Sequence, residues 1–201
     1  MTPEVNDRLS TERRRLAALS SVAAAIASEV GDVVLLRAER TPRWLTNLGV
    51  PPGWEIRHLV DRTVEPSRIA GYGRRPDGGW DGSETISVFG FTGIPSEGVV
   101  RNNADCTLRD LAAVDIITQA IDTPALPAAI AMRSSGYFDV AGLRLWAQYS
   151  TYVIGSETPG EGRLIEHAVF IESGSQARLS RDVAELTQAV HQALATTAER
   201  N

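Results

Sequence analysis

The sequence predicts an α+β domain in which a mostly antiparallel β-sheet is packed by helices. Three observations indicate this fold class. Apolar residues alternate along several short segments, glycine-containing turns join these segments as hairpins, and amphipathic helical patterns lie at both ends of the chain. Alternating βαβ units would require a long, usually helical crossover between successive parallel strands. We therefore expect one sheet with a face against helices.

An amphipathic helix is expected at the N-terminus, ending at Gly31. Between residues 7 and 30 the apolar residues recur at spacings of three, four or seven: Leu9, Leu16, Leu19, Ala23, Ile26 and Val30. Alanine and Glu12 on this stripe make it too weak for a self-sufficient coiled coil. We therefore expect the helix to pack against its own domain or another copy, with Leu16, Leu19 and Ile26 as anchors.

The same region imitates an export signal, because Arg13–Arg15 precede a partly apolar run. Ser20 and Ser21 interrupt that run, and no stretch approaches the roughly 18 apolar residues of a membrane span. We expect a cytoplasmic protein without an integral membrane segment, with export as the alternative.

Pro51, Pro52 and Gly53 punctuate the chain and predict a division between residues 1–49, the N-terminal helix with its connecting segment, and a domain over residues 50–201. A brief strand is expected at Val33–Leu36. Six main strands are predicted to share one sheet: Trp54–Val60, Arg68–Arg74, Glu84–Phe91, Ala129–Val140, Leu143–Ile154 and Leu164–Glu172. The loop at 76–82 and the Ala141-Gly142 pair supply the hairpin turns.

Two more helices follow from the apolar spacing. A middle helix is expected after Thr107, which with Asp110 resembles a capping box; its stripe is Leu108, Leu111, Val114, Ile117 and Ile121. A closing helix is expected with Ser180 and Asp182 near its start. Its stripe is Leu179, Val183, Leu186, Val190 and Leu194.

Several strings of this chain resemble the LpqN-type actinobacterial proteins, whose domain is similar to the PsbP-like α/β/α sandwiches. They are Pro52-Gly53-Trp54, Ile86-Ser87-Val88-Phe89 before Thr92-Gly93, Leu145-Trp146-Ala147-Gln148-Tyr149 and Val169-Phe170-Ile171. The resemblance covers roughly residues 50–197 and implies a binding or accessory protein with this sandwich fold. LpqN-type proteins carry an acylated cysteine near the N-terminus, and this sequence has none there, which favours a cytosolic relative.

The composition and the motifs argue against nucleic-acid binding, a disulfide, a metal site and catalysis. The net charge is −5 and all 20 basic residues are arginine, so the basic face that nucleic acids require is not expected. The single cysteine, Cys106, cannot form an intrachain disulfide, and His58, His167 and His191 lack metal-ligand spacing. No Gly-x-Ser-x-Gly elbow or phosphate-binding glycine loop occurs. We expect no catalytic residues, cofactor or metal, and a hydrogen-bonded role for His167.

Large aromatic residues concentrate in the second hairpin. By alternation Trp146 and Tyr152 share one face of the sheet and Tyr149 lies on the other. These three side chains either fill the core or line a pocket for a small apolar ligand.

Three functions remain open. The first is a non-enzymatic binding or accessory protein that acts through protein contacts, using the N-terminal helix or a sheet edge. The second is a carrier of a small apolar ligand. The third is an enzyme with a dispersed site, drawn from His58, His167, Arg144 and Glu166. The first is the prediction, and the other two are its alternatives.

Overall fold

The computed structural model describes residues 19–36, 40–57, 66–76, 78–123 and 129–198. Within these ranges the chain forms eight strands and five α-helices. The strands are β1 Gly31–Leu35, β2 Trp54–Arg57, β3 Arg68–Arg74, β4 Trp80–Thr92, β5 Val114–Ala120, β6 Ala129–Val140, β7 Leu143–Ile154 and β8 Gly162–Glu172. The helices are α1 Val22–Ile26, α2 Arg43–Asn47, α3 Glu97–Asn103, α4 Cys106–Asp110 and α5 Gln176–Ala198.

All eight strands join one antiparallel sheet in the order β2-β3-β4-β8-β7-β6-β5, with β1 also paired to β4. This confirms the predicted α+β class, including the β6–β7 hairpin, where Ala141 and Gly142 have φ angles of 50° and 80°. β4 begins at Trp80, four residues before its predicted start. The predicted continuation of β2 through residue 60 lies outside the described residues.

Helices cover both faces of the sheet. On one face, named here the α5 face, the side chains of Leu186 and Val190 pack over the sheet residues Ile86 and Ile171. The opposite face, named the α1 face, is covered by α1, α3 and α4. Two apolar layers therefore enclose the sheet, as in an α/β/α sandwich.

The N-terminal region differs from the expected single helix within the described residues. Ser21 is an N-cap with φ −134°, and its Oγ accepts a hydrogen bond from Ala24 N at 3.1 Å, so α1 begins at Val22. The helix ends at Ile26, before the predicted stop at Gly31, which begins β1. Ser20 and Ser21 break the helical pattern because serine side chains compete for backbone hydrogen bonds.

The predicted middle helix is wrong beyond its first turns. Helix α4 stops at Asp110, and Ala112 has a left-handed φ of 54°, which ends the helix. The residues from Val114 to Ala120 form β5 instead. Their β-branched run favours a strand, although the spacing of the apolar residues is also helical. Thr107 is not the N-cap either, because Asp105 occupies that position.

Residues that the sequence assigns to the connecting segment belong to the same fold. β1 pairs with β4 from Gly31↔Thr92 to Leu35↔Phe89, and Leu45 of α2 is buried with residues of α5. Helix α1 contributes the fully buried Ile26 to the core on the α1 face. The contacts of residues 19–36 and 40–49 are thus continuous with those of the sheet.

Candidate functional site

The α5 face carries a cluster of buried charges. Glu84 of β4 and His167 of β8 are 0% and 1% exposed, and His167 Nε2 lies 3.1 Å from Glu84 Oε1. Arg68 of β3 places its Nη2 3.3 Å from Glu84 Oε2. Because buried charges are costly unless paired, Glu84 holds the two basic groups on either side of it. The predicted hydrogen-bonded role of His167 is confirmed, although the side chain is fully buried.

Arg68 also binds the backbone that leads into the sheet. Its Nη1 donates to Leu48 O at 2.6 Å and its Nη2 donates to Gly49 O at 3.0 Å. Burial lowers the pKa of Arg68, and the carboxylate of Glu84 opposes this shift. The guanidinium thus ties the segment after α2 to the sheet by charge-assisted hydrogen bonds.

The cluster continues as a polar row toward β6. Ser150 of β7 lies opposite His167 in the sheet, and its Oγ accepts a hydrogen bond from Arg133 Nε at 3.2 Å. Gln148 Nε2 donates to Thr187 Oγ1 of α5 at 2.9 Å. Helix α5 covers the row, so its charged centre is closed to a substrate in this structure. The arrangement stabilises the contact between sheet and helix.

The residues proposed for a dispersed enzyme site are not brought together. His167 faces α5, whereas Glu166 faces the opposite side because neighbours in a strand alternate. Arg144 is exposed beside the β6–β7 turn, where its Nη1 lies 3.7 Å from Asp139 Oδ2. His58 lies outside the described residues. The described members therefore do not converge on one cleft.

Glu166 is half-buried under helix α1. Its Oε1 accepts a hydrogen bond from Ala23 N at 3.4 Å, and its neighbours in the sheet are Ser87 and Thr151. Burial raises the pKa of this carboxyl group, and hydrogen bonds from the backbone of α1 oppose the shift. Among the residues that the structure describes, no basic side chain forms an ion pair with Glu166, so this partly buried carboxyl group has no described counter-charge.

The predicted aromatic pocket residues lie on both faces, as alternation indicates. Tyr152 is fully buried in the cluster under α5, with its ring 6.1 Å from the ring of His191. Trp146 packs beside the cluster of Ile171 and Leu179. Tyr149 is on the α1 face, where its ring meets Phe170 edge-on at 5.7 Å and burial raises its pKa. These contacts fill core positions, and a ligand pocket at these residues stays a prediction.

Two of the three predicted anchors can be located. Leu19 packs against the cluster around Leu108 and Phe138, and Ile26 is buried among the residues under α1. Leu16 lies outside the described residues. The chain near Leu19 is held by α4, whose Thr107 Oγ1 donates to Ser20 O and whose Asp110 Oδ2 accepts from Ser20 N, both at 2.7 Å.

These two hydrogen bonds, here called the clamp on Ser20, could not be recognised in the sequence. Thr107 and Asp110 resemble a local helix cap, and Ser20 is some 90 residues away from them. The hydrogen bond from Ser20 lowers the pKa of Asp110.

The helix α4 also holds Cys106, where burial raises the pKa of the thiol. Within the described ranges, no group of three or more His, Cys, Asp or Glu side chains is arranged to hold a metal ion.

An open groove lies between α2 and the C-terminal half of α5. Its volume is about 750 Å³. It is lined by apolar side chains, including Trp44, Leu48 and Ala189, and by polar side chains, including Asn47 and Gln192. No sequence pattern indicated that Trp44 and Leu48 meet α5.

The second open feature is the outer edge of β5. This strand ends the sheet, and most of its residues are exposed, including Val114 at 49% and Ile117 at 64%. Among the residues that the structure describes, no strand pairs with its outer side. An exposed apolar edge is a template for pairing with another chain.

The hydrogen-bond pattern shows which backbone groups are available at this edge. Ile121 N donates to Ala131 O at 2.8 Å, and the register continues through Ala120↔Met132 and Thr118↔Ser134. Because alternate residues direct their backbone groups to opposite sides, the N–H and C=O groups of Thr118 and Ala120 point away from β6. The strand thus offers two donor–acceptor pairs to an added strand.

β5 also contains a bulge. The register shifts between Val114 and Ile117, and Asp115 has a left-handed φ of 54°. Gly136 of β6 accommodates the bulge, because a Cβ there would lie 3.1 Å from Val114 O. The regular pairing edge therefore begins at Ile117.

Comparison with known proteins supports the fold. A solved structure described as LpqN involved in cell envelope biogenesis of Mycobacterium tuberculosis matches with a TM-score of 0.61 and 16% sequence identity. The match covers 83% of this chain and 94% of that chain. It confirms the resemblance to LpqN-type proteins at the level of the fold. No family model and no curated protein sequence matches this chain.

None of the described helices is both long and apolar enough to cross a bilayer.

Proposed function

We propose that this chain is a non-enzymatic binding protein that acts through protein contacts, with the outer edge of β5 as its contact surface. The observation that carries the proposal is the exposure of Ile117 beside the outward backbone groups of Thr118 and Ala120. An extended segment of a partner would add a strand to the sheet there and would gain main-chain hydrogen bonds.

The edge at β2 is a poorer candidate. β2 has four described residues, Trp54–Arg57, and short edge strands are a common protection against pairing. Its Ile56 is 45% exposed, which makes it a matched control for Ile117. A substitution at each edge changes the same side chain in the same sheet.

The non-enzymatic part of the proposal is supported by the placement of the charged side chains. Arg68, Glu84 and His167 converge in the interior, and helix α5 seals them from solvent. The ion pair between Arg68 and Glu84 and the hydrogen bond between Glu84 and His167 account for them as structural groups.

The proposal is tested with tagged full-length chain as bait in a lysate of the source organism. Ile117→Lys places a charge on the edge. Thr118→Pro removes an outward N–H and the side-chain hydrogen bond to Ser134, but no backbone hydrogen bond to β6. We expect partners captured by the wild type to be lost with both variants and kept with Ile56→Lys. Equal capture by all four proteins, each shown by thermal melting to be folded, would contradict the proposal.

A carrier of a small apolar ligand is the second candidate, favoured by the groove between α2 and α5. Ala189→Phe fills the groove, and Ala184→Phe, on the exposed side of the same helix, is its control. If the groove binds apolar ligands, the fluorescence of anilinonaphthalene sulfonate should rise with the wild type and with Ala184→Phe, and much less with Ala189→Phe. The same rise with Ala189→Phe would contradict this candidate.

We further propose a cytoplasmic location in an actinobacterium. The exclusive use of arginine among 20 basic residues and the serines that interrupt the apolar run after Arg15 support it. Export is the alternative, since LpqN is involved in cell envelope biogenesis. Fractionation of the source cells with an antibody to the chain distinguishes the two, because an exported protein would appear in the envelope or culture fraction.

A further inference from the structure

The charges beside β5 restrict which partner the edge can take. Asp115 and Asp122 are both exposed, one near each end of the strand, and the segment between them contains no basic residue. The chain as a whole carries a net charge of −5. A strand added along the edge that begins at Ile117 thus lies between the two carboxylates.

A second copy of the chain is a poor occupant of this edge. Antiparallel pairing of two β5 strands would bring Asp115 of one copy toward Asp122 of the other at both ends. Like charges that face one another across strands are destabilising. The edge therefore disfavours self-association through β5.

We propose that the β5 edge binds an extended protein segment with an alternating β-branched centre and a basic side chain at each end. This inference rests on the proposed binding function. Asp115 and Asp122 are seven positions apart, and the bulge at Asp115 shortens the extended span between them to about 20 Å, so a segment of about seven residues reaches both carboxylates. Its basic ends pair with the two carboxylates, and its apolar side chains cover Ile117.

The experiment uses two acetylated, amidated heptapeptides with the common centre Val-Thr-Val-Thr-Val. One carries Arg at both ends and the other carries Glu at both ends. Binding of each to the full chain is measured by calorimetry at low and high salt. Since two exposed ion pairs are involved, we expect the Arg peptide to bind about three- to tenfold tighter at low ionic strength, with the difference shrinking as salt is added.

Variants assign the preference to the edge. Ile117→Lys should weaken binding of the Arg peptide at least tenfold, while Ile56→Lys should leave it unchanged. Asp115→Asn with Asp122→Asn should remove the preference for the Arg peptide. Asn also tolerates the left-handed φ of residue 115, so the bulge is kept.

The outcomes separate the two levels of the proposal. If both peptides bind equally and binding is still lost with Ile117→Lys, the basic partner chemistry is wrong and strand addition stands. If the Arg preference survives the double Asn variant, the charge preference arises elsewhere and the inference is overturned. If neither peptide binds, both the inference and strand addition by this edge are contradicted.

Discussion

Glu84 Oε1 lies 3.1 Å from His167 Nε2, and both side chains are sealed between the sheet and α5. The same carboxylate faces the guanidinium of Arg68 through its second oxygen at 3.3 Å. One carboxylate thus contacts two basic side chains in the interior. We therefore expect the stability of the protein to depend on this carboxylate.

Glu84→Gln should destabilise the protein by about 3–5 kcal/mol, because it leaves the guanidinium of Arg68 buried without its counter-charge. The combined replacement of Arg68→Met and Glu84→Leu should cost less than Glu84→Gln alone, since it removes both charges. Urea denaturation measures the two differences. A cost below 1 kcal/mol for Glu84→Gln would show that the ion pair is not a principal contact of the fold.

Glu166→Gln is expected to stabilise the protein at neutral pH. Burial raises the pKa of Glu166, so folding favours its protonated form. The ionised form therefore costs stability once the pH rises above the unfolded value near 4.5 and through the higher folded value. The amide of Gln can still accept the hydrogen bond from Ala23 N.

The measurement for Glu166 is the thermal midpoint of both proteins as a function of pH. The two midpoints should agree at low pH, where the acid is protonated in both states, and should diverge as the pH rises, with Glu166→Gln the more stable. A constant difference, or a less stable variant at pH 7, contradicts the account.

The clamp on Ser20 predicts a pH dependence of the opposite sign. The pKa of Asp110 is lowered by its hydrogen bond from Ser20 N, so this contact stabilises the fold above the unfolded pKa and is lost as the pH falls through the lower folded value. In an NMR titration the carboxyl of Asp110 should titrate below 3.8, and the Ser20 amide shift should report the same midpoint. Titration of Asp110 at or above its ordinary value would show that the clamp is open in solution.

Gly162→Ala tests the packing of β8 against β4. A Cβ at this position would lie 2.6 Å from the ring of Phe91 and 2.9 Å from its carbonyl oxygen. We expect a loss of about 1–3 kcal/mol, the usual cost of overpacking. Gly174→Ala is the control, because a Cβ there meets nothing within 4 Å. Equal stability of the two variants in urea would contradict the predicted clash.

The strands that are marked by a pattern within their own residues were predictable from the sequence. β6 and β7 occupy their predicted positions because alternation, β-branched residues and the Ala141-Gly142 turn all indicate the same hairpin. β5 was mistaken for helix because Leu108, Leu111, Val114 and Ile117 have helical spacing, while the left-handed Ala112 that separates α4 from β5 has no sequence signal. Alanine rarely adopts that φ.

The candidate site was less predictable, since its features depend on long-range pairing. A sheet edge could be named as a contact surface in advance, but β5 was not recognised as a strand. The pairing of Glu84 with His167 requires the register of β4 against β8, which no local pattern supplies. The groove similarly requires α2 to meet α5, whose contact is not encoded in either segment alone.

Amide hydrogen exchange in the full chain, with and without the Arg-ended peptide, tests the central claim most directly. Strand addition at β5 should slow exchange at the outward amides of Thr118 and Ala120, at least tenfold at saturation. It should leave the amide of Gln119, which already faces β6, and that of Ile56 on the other sheet edge nearly unchanged. Unchanged exchange at Thr118 and Ala120 under saturating peptide would contradict binding by this edge.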